Sequence, residues 1–597
     1  MRKHIYLIGL FLVTSLLFSC GSPQDSEIAT VSSTDRNNTM ESTENLESVE
    51  LNGDSRTLKI LYWQAPSILN PYLSSGTKDI ESSSLIVEPL ARYDSVDGEM
   101  VPWLASTIPT MANGGLASDY RSITWNLRTD VIWSDGTSFT AADVVFTWMY
   151  CSNEEFGCVS SNAFKDVAQV VAVDTHTVRV EFTKPMYFPY GPFVGSLTPI
   201  IQKEQFKDCL GAAAQACTEQ NFNPVGTGPF MVEDFKANDV ITFIANPNYR
   251  EEGKPYFQKV IFKGGGEASS AARAVLETGE FDYAWNLQVE PEVLEGMQDT
   301  GKGELLTGFG SNVERIMVNQ TNNDSSLGRE KRSLYLDGTN PHPFLSDLNV
   351  RRALSLAIDR SILVEVGYGD TGRPMCNVIP APSKFVSDNN EECKTQNIEE
   401  ANRLLDEAGW VRGRDGVRAK DGIRLSMLYQ TSTNSVRQDT QALVKEWWSQ
   451  IGVETELRHI DGAVFFGSDQ GSPDTLGKFY ADVQMYTNNF EGIDPSEYVE
   501  SWVCEEVPGP HNDWNASNIP RGCSADFDAL VEQLEVTEES QDRIETIKQI
   551  NDFVVQNYWE IPLIWRARVS AKSVSLKGVK MNGWDSELWN VADWYRE

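Results

Sequence analysis

Trp125-Asn126-Leu127-Arg128, then Trp133-Ser134-Asp135-Gly136-Thr137, then Thr140-Ala141-Ala142-Asp143-Val144-Val145-Phe146 is the stretch on which the reading of this chain turns. Asp135-Gly136 is a turn dipeptide: an Asp side chain bonds its own backbone two residues on, and Gly takes left-handed backbone at no steric cost. Thr140 and Asp143 stand three apart, the spacing of a capping box, so a helix is expected to start there and run through Val144 to Tyr150.

Outward from this stretch the periodicity alternates between two kinds. Leu58, Ile60 and Tyr62 repeat every second residue, as a strand does. Val178, Val180 and Phe182 do so again after an Asp174-Thr175-His176 turn, which suggests a hairpin. Val350, Ala353, Leu354, Ala357 and Ile358 follow helical spacing. So do Ile398, Ala401, Leu404, Leu405 and Ala408, with Gly409 where a left-handed cap falls. Leu443, Val444, Trp447, Trp448 and Ile451 give a third helix, and Ile544, Ile547, Ile550 and Val554 a fourth. Strands and helices interleaved in this way predict α/β or α+β layering.

The N-terminus reads as a sorting signal. Arg2, Lys3 and His4 precede an apolar run from Ile5 to Phe18, too short and too abruptly ended for a membrane span. Leu17-Phe18-Ser19-Cys20 resembles the bacterial lipobox, which makes Cys20 the expected site of lipid attachment. Acyl chains together hold a protein on a membrane where one does not. Residues 21–54 carry eight acids against the single base Arg36 and no aromatic residue, so they cannot bury enough apolar surface to order themselves. As a coil, this acidic tether spans on the order of 30 Å.

Nine Cys leave eight after Cys20, in four sequence-local pairs: Cys151/Cys158, Cys209/Cys217, Cys376/Cys393 and Cys504/Cys523. Behind an export signal such pairs read as disulfides, although spacing alone does not fix connectivity. No C-x-x-C and no Cys-His zinc spacing occurs, so no metal and no cofactor is expected. The net charge of −36 argues against nucleic acid and against anionic lipid faces. His176, His342, His459 and His511 are scattered, and H-E-x-x-H, G-x-S-x-G and the phosphate-binding G-x-x-x-x-G-K-[ST] are all missing. Nothing in the sequence argues for an enzyme.

The opening stretch resembles the "L-R…G-V-x-F-H-D-G-T-P…T-A-E-D-V-V-F" block of the family 5 extracellular solute-binding proteins, the peptide receptors of ABC importers. Further blocks follow in the family's order: Pro224-Val225-Gly226-Thr227-Gly228-Pro229-Phe230, Asn246-Pro247-Asn248-Tyr249-Arg250, and Gly253-Lys254-Pro255-Tyr256. Next come Pro343-Phe344 with Val350-Arg351-Arg352-Ala353-Leu354 and Ala357-Ile358-Asp359-Arg360, then Ala401 to Trp410. Most of these residues turn or cap the chain and identify the family without touching a ligand.

The resemblance implies a two-lobed receptor with an interlobe ligand cleft and an additional subdomain in lobe I. The expected divisions are a signal peptide at 1–20, a tether at 21–54, lobe I at 55–308 with its subdomain at about 85–215, lobe II at 309–564, and a return to lobe I at 565–597. It implies a monomeric, extracytoplasmic, lipid-anchored receptor that passes a peptide-like solute to permease and ATPase subunits. A receptor of this fold that senses or chaperones peptides, and an unrecognised secreted hydrolase, stay open as alternatives. It also implies the Cys504–Cys523 disulfide. Tyr486-Thr487-Asn488-Asn489-Phe490-Glu491-Gly492-Ile493-Asp494-Pro495 resembles the stretch where dipeptide receptors place an Asp against the ligand's amino terminus. Asn489 falls there, with Glu491 and Asp494 as alternatives and Tyr486 beside them. The receptors' carboxylate-binding Arg falls near Thr431. Trp63, Asn70, Trp285 and Tyr429 are expected near the cleft, at ends of core elements, with core packing as their competing role.

Overall fold

A computed structural model describes residues 55–597 apart from Ser75, Asp97, Glu154, Phe156, Gly157, 468–470, Asp513, Asn515, Glu539 and Ser540. The signal, Cys20 and the whole tether at 21–54 lie outside the described residues. The main elements of the described residues start with β1 (Thr57–Tyr62) and α1 (Thr77–Ser83), then β2 (Ser122–Asn126), α2 (Ala141–Cys151), β3 (Val167–Asp174) and β4 (Thr177–Phe182). The expected turn and cap are both present. Asp135 accepts from Thr137 N at 2.9 Å, and Gly136 has φ 87°. Thr140 and Asp143 close the capping box of α2, with Thr140 N donating to Asp143 Oδ2 at 2.9 Å. The β3–β4 hairpin pairs antiparallel across the Asp174-Thr177 turn.

Next come β5 (Phe230–Lys236), β6 (Val240–Ala245), β7 (Lys259–Gly264), β8 (Tyr283–Trp285) and β9 (Gly303–Gly308). The Gly226-Thr227-Gly228 turn threads against the backbone of Ile86: a Cβ on Gly226 would lie 1.9 Å from Ile86 O. The second half holds β10 (Val313–Val318), α3 (Leu348–Leu356), β11 (Gly372–Pro374), α4 (Ile398–Glu407), β12 (Ser426–Ser432), α5 (Ser435–Gln450), β13 (Glu454–Ile460) and β14 (Val483–Asn488). Then come α6 (Gln541–Gln556), β15 (Glu560–Arg566) and β16 (Arg568–Ser573). Gly409 follows α4 with φ 84°, as its capping role requires.

These strands make two large mixed sheets. One has seven strands in the order β9-β16-β8-β1-β7-β6-β5, the other six in the order β11-β15-β10-β14-β12-β13. A smaller sheet, β2-β4-β3, packs with α2 around its own apolar core, which includes Trp125, Trp133 and Phe139. The first sheet carries lobe I, the second lobe II, and the small one belongs to the additional subdomain of lobe I. The chain passes between the large sheets twice, at 309–312 and at Ala567. All four Cys pairs are bonded: Cys151–Cys158, Cys209–Cys217, Cys376–Cys393 and Cys504–Cys523.

Candidate functional site

In lobe I, β1 runs parallel to both β7 and β8, so Tyr62, Gly264 and Trp285 end at one edge. In lobe II, β12 runs parallel to β13 and β14, which end at Ser432, Ile460 and Asn488. Loops at the carboxyl ends of parallel strands are where open α/β sheets hold ligands. Here the two sets of loops meet. Asn434, after β12, donates to the carbonyl of Gln288, after β8, at 3.1 Å. Gln64, after β1, brings its Nε2 to 3.2 Å from where a Cβ on Gly462 would stand, in the loop after β13.

The wall between the lobes is charged and buried. Glu314 on β10 is 1 % exposed. It accepts from Arg437 Nε at 2.8 Å and Nη2 at 3.2 Å, and from the Thr487 hydroxyl. Arg566 Nε stands 3.7 Å away, itself bonded to Thr487 Oγ1 at 2.8 Å. From lobe I, Gln288 Nε2 reaches both Glu314 Oε2 and the Tyr368 hydroxyl, each at 3.3 Å. Burial pushes the Glu314 carboxyl up, but Arg437 and its hydrogen bonds outweigh that and hold it below the ordinary carboxylate range. One acid thus faces two guanidiniums at the cleft.

The expected cleft residues divide into two groups. Trp63 is half-buried just past β1 and donates its indole N–H to Asn286 O at 2.9 Å. Asn489 is half-buried just past β14, its backbone N–H turned to the Asn488 side chain. Both stand on the facing edges. Asp494 pairs with Arg543 at 3.2 Å and caps Ser496. Glu491 reaches across to the hydroxyl of Ser196 in lobe I.

The other expected residues are committed to the interior. Trp285 stacks on Tyr62 with ring centroids 4.6 Å apart. Tyr486 packs edge-on against Phe465 and Phe466. Tyr429 is fully buried against Trp448, and Thr431 donates to Met485 O at 2.7 Å. Asn70 ties Tyr150 and Asn221 together, with 2.9 Å to each. Sequence reasoning missed Gln288, Glu314, Arg437 and Arg566. The available signal was an acid beside a base, Glu314-Arg315, inside the otherwise apolar strand Val-Glu-Arg-Ile-Met-Val.

Comparison with known proteins places this architecture. Protein XP55 of Streptomyces lividans is 28% identical over 405 residues, 67% of this chain and 65% of its own length, so the chain spans just under two thirds of that relative. Oligopeptide-binding protein AppA of Bacillus subtilis is 23% identical over 546 residues, 89% of this chain and 90% of its own. The solved structure of AppA from Bacillus subtilis, in complex with a nonapeptide, shares the fold with a TM-score of 0.75 at 20% identity, covering 91% of this chain and 99% of that one. Residues 99–507 match the family described as bacterial extracellular solute-binding proteins, family 5 Middle. Two lobes, facing carboxyl edges and a match over most of the chain make it a member of the bacterial extracellular solute-binding proteins, family 5.

Proposed function

We propose that this protein is an exported, lipid-anchored receptor that captures a peptide or peptide-like solute between its lobes and delivers it to an ABC permease. Separate ATPase subunits would drive the transport. The observation that carries the reading is the facing pair of strand edges, bridged by Gln288 and Asn434. A ligand held there touches both lobes, so its binding energy favours the closed arrangement over the open one. The chain's two passages between the sheets, at 309–312 and Ala567, are the natural hinge, with lobe I at 55–308 and 565–597 and lobe II between. The names of its relatives, oligopeptide-binding proteins, point to the same ligand class.

The edge favours a longer peptide over a free dipeptide. Asn489 accepts a hydrogen bond from an ammonium without neutralising it, and charge-assisted bonds are roughly twice as strong as neutral ones. Thr431 is buried and bonded to Met485, so it offers nothing to a ligand carboxylate. Cys20 carries the lipid, the tether gives slack, and the receptor works as a monomer at the outer face of the cell membrane. Native mass spectrometry of the purified full chain should show co-purified peptide masses. Calorimetric titration should show weak binding of simple dipeptides. Micromolar or tighter dipeptide binding, undiminished in Asn489→Ala, would overturn the preference.

A further inference from the structure

The two lobes meet a second time, between the lobe I subdomain and the helical part of lobe II. Val167 pairs with Phe182 at the open end of the β3–β4 hairpin. Just beyond it, Thr183 N donates to Asp166 O at 2.9 Å, which sets Lys184 beside Asp166, with Nζ 3.1 Å from Oδ2. Lys165 precedes Asp166 and is held in place by Phe164, which is buried in the subdomain core. The hairpin therefore presents two ammoniums, Lys165 and Lys184, at one end.

Lobe II meets both with acids. Lys165 Nζ stands 2.5 Å from Glu500 Oε2, and Lys184 Nζ stands 2.5 Å from Glu535 Oε2, on the last residue of the helix Ala525–Glu535. The Tyr120 hydroxyl of the subdomain adds a bond to Glu538 Oε1 at 3.3 Å. Glu500 is 8 % exposed and its Oε2 has no hydrogen-bond partner among the described residues, so Lys165 is the charge that offsets its burial. Every ammonium here belongs to lobe I and every facing carboxylate to lobe II. The pairs coexist with the Gln288 and Asn434 bridges across the cleft. Rotation of one lobe against the other stretches them, and water and salt then screen charges that no longer touch.

We propose that Lys165–Glu500 and Lys184–Glu535 form an ionic latch that favours the closed arrangement of the lobes. The four side chains are positioning residues: they set how often the receptor is closed and act on ligand affinity only through that. The inference rests on the hinged, two-lobed reading of the function. The two lysine side chains are 41 % and 27 % exposed, so the pairs are partly solvated. Each such pair shifts an equilibrium by up to about fivefold, and the two together should lower the open-to-closed ratio roughly tenfold. A ligand that binds the closed form gains apparent affinity in proportion to the closed fraction.

Single-molecule fluorescence transfer on the full chain without ligand tests this, with dyes carried by unnatural amino acids at the exposed Val173 of the subdomain and Val411 of lobe II. Raising KCl from about 0.05 to about 0.5 M should increase the open-to-closed ratio several-fold. Lys165→Glu with Lys184→Glu should raise it roughly tenfold or more at low salt and reverse the sign of the salt response, because the facing charges then repel. Adding Glu500→Lys and Glu535→Lys should bring the ratio back to within about twofold of the parent, a rescue that loss of packing alone would not give. Should the reversed variant lack a cooperative melting transition, Lys165→Met with Lys184→Met replaces it, with a rise of about threefold to tenfold and a weakened salt response. An unchanged ratio, a shift towards the closed form, no rescue by the exchanged charges, or a single population that neither salt nor substitution moves overturns the latch. The measurement uses no ligand, so its failure leaves peptide capture standing, and a purified chain without peptide masses overturns peptide capture while the latch stands.

Discussion

Glu314→Gln tests the interlobe wall most directly. Glutamine keeps the shape of the side chain but replaces a carboxylate oxygen with an amide N–H₂ facing guanidinium donors. The Arg437 contacts at 2.8 and 3.2 Å and the Arg566 approach at 3.7 Å lose their shared counter-charge in a position only 1 % exposed. Removing one partner of a buried ion pair costs about 3–5 kcal/mol because the other charge stays behind. Lost acceptance from Gln288 and Thr487 is about 1 kcal/mol more, not fully additive. We expect about 4 kcal/mol of destabilisation, read from guanidinium titration followed by tryptophan fluorescence. Glu314→Gln with Arg437→Met removes one stranded cation and should recover roughly 1–3 kcal/mol of that. The held-down carboxyl stabilises the fold above its unfolded-state pKa, and that contribution is lost as pH falls through the lower folded value. The variant should therefore lose less stability on acidification than the parent. A Glu314→Gln protein within about 0.5 kcal/mol of the parent, or no recovery in the double variant, would refute the account.

Four further expectations follow. Gly226→Ala should cost about 3 kcal/mol or more, because its Cβ meets the Ile86 carbonyl at 1.9 Å, whereas Gly253→Ala, with open space but φ 79°, should cost only about 1 kcal/mol; equal melting shifts would contradict this. Replacing Cys504 and Cys523 by Ser opens a loop of sequence separation 19 and should cost about 3 kcal/mol by chain entropy, with unchanged stability as the contrary result. Burial and Glu587 raise Glu81 to about 7, so the folded state holds its proton longer and stability should fall as pH rises from about 4.5 to about 7; Glu81→Gln should flatten that decline. Cys20→Ala should release the head from membranes or leave an uncleaved precursor, and normal processing with unchanged membrane fractionation would count against lipid anchoring.

The fold was legible wherever one local rule decides one local structure. Thr140 and Asp143 cap α2 because the spacing puts each side chain on the other's backbone, and no distant residue is needed. Gly409 and the Asp135-Gly136 turn are equally local. The helices of lobe II were visible because each buries a single face: α4 has Ala401, Leu404 and Leu405 inside with Ile398 packed at their margin, and turns Glu399, Arg403, Asp406 and Glu407 to solvent. The strand pairing was not legible. β1 lies between strands that start 202 and 226 residues later in the chain, and nothing in Thr57–Tyr62 names Lys259 or Tyr283 as its neighbours.

The site was less legible for a related reason. Aromatic and amide residues near strand ends make sensible cleft candidates, yet a strand of a central sheet is buried on both faces, so period-two reasoning cannot say which side chain points to the open edge. Tyr429 and Thr431 lie on such a strand and are both fully buried. The residues that do shape the wall come together only in three dimensions: Arg437 is 123 residues from Glu314, and Gln288 arrives from the other lobe. The sequence did hold a usable sign. An acid within an apolar strand must find a cation or stay protonated, so Glu314 announced that a buried partner existed without saying which.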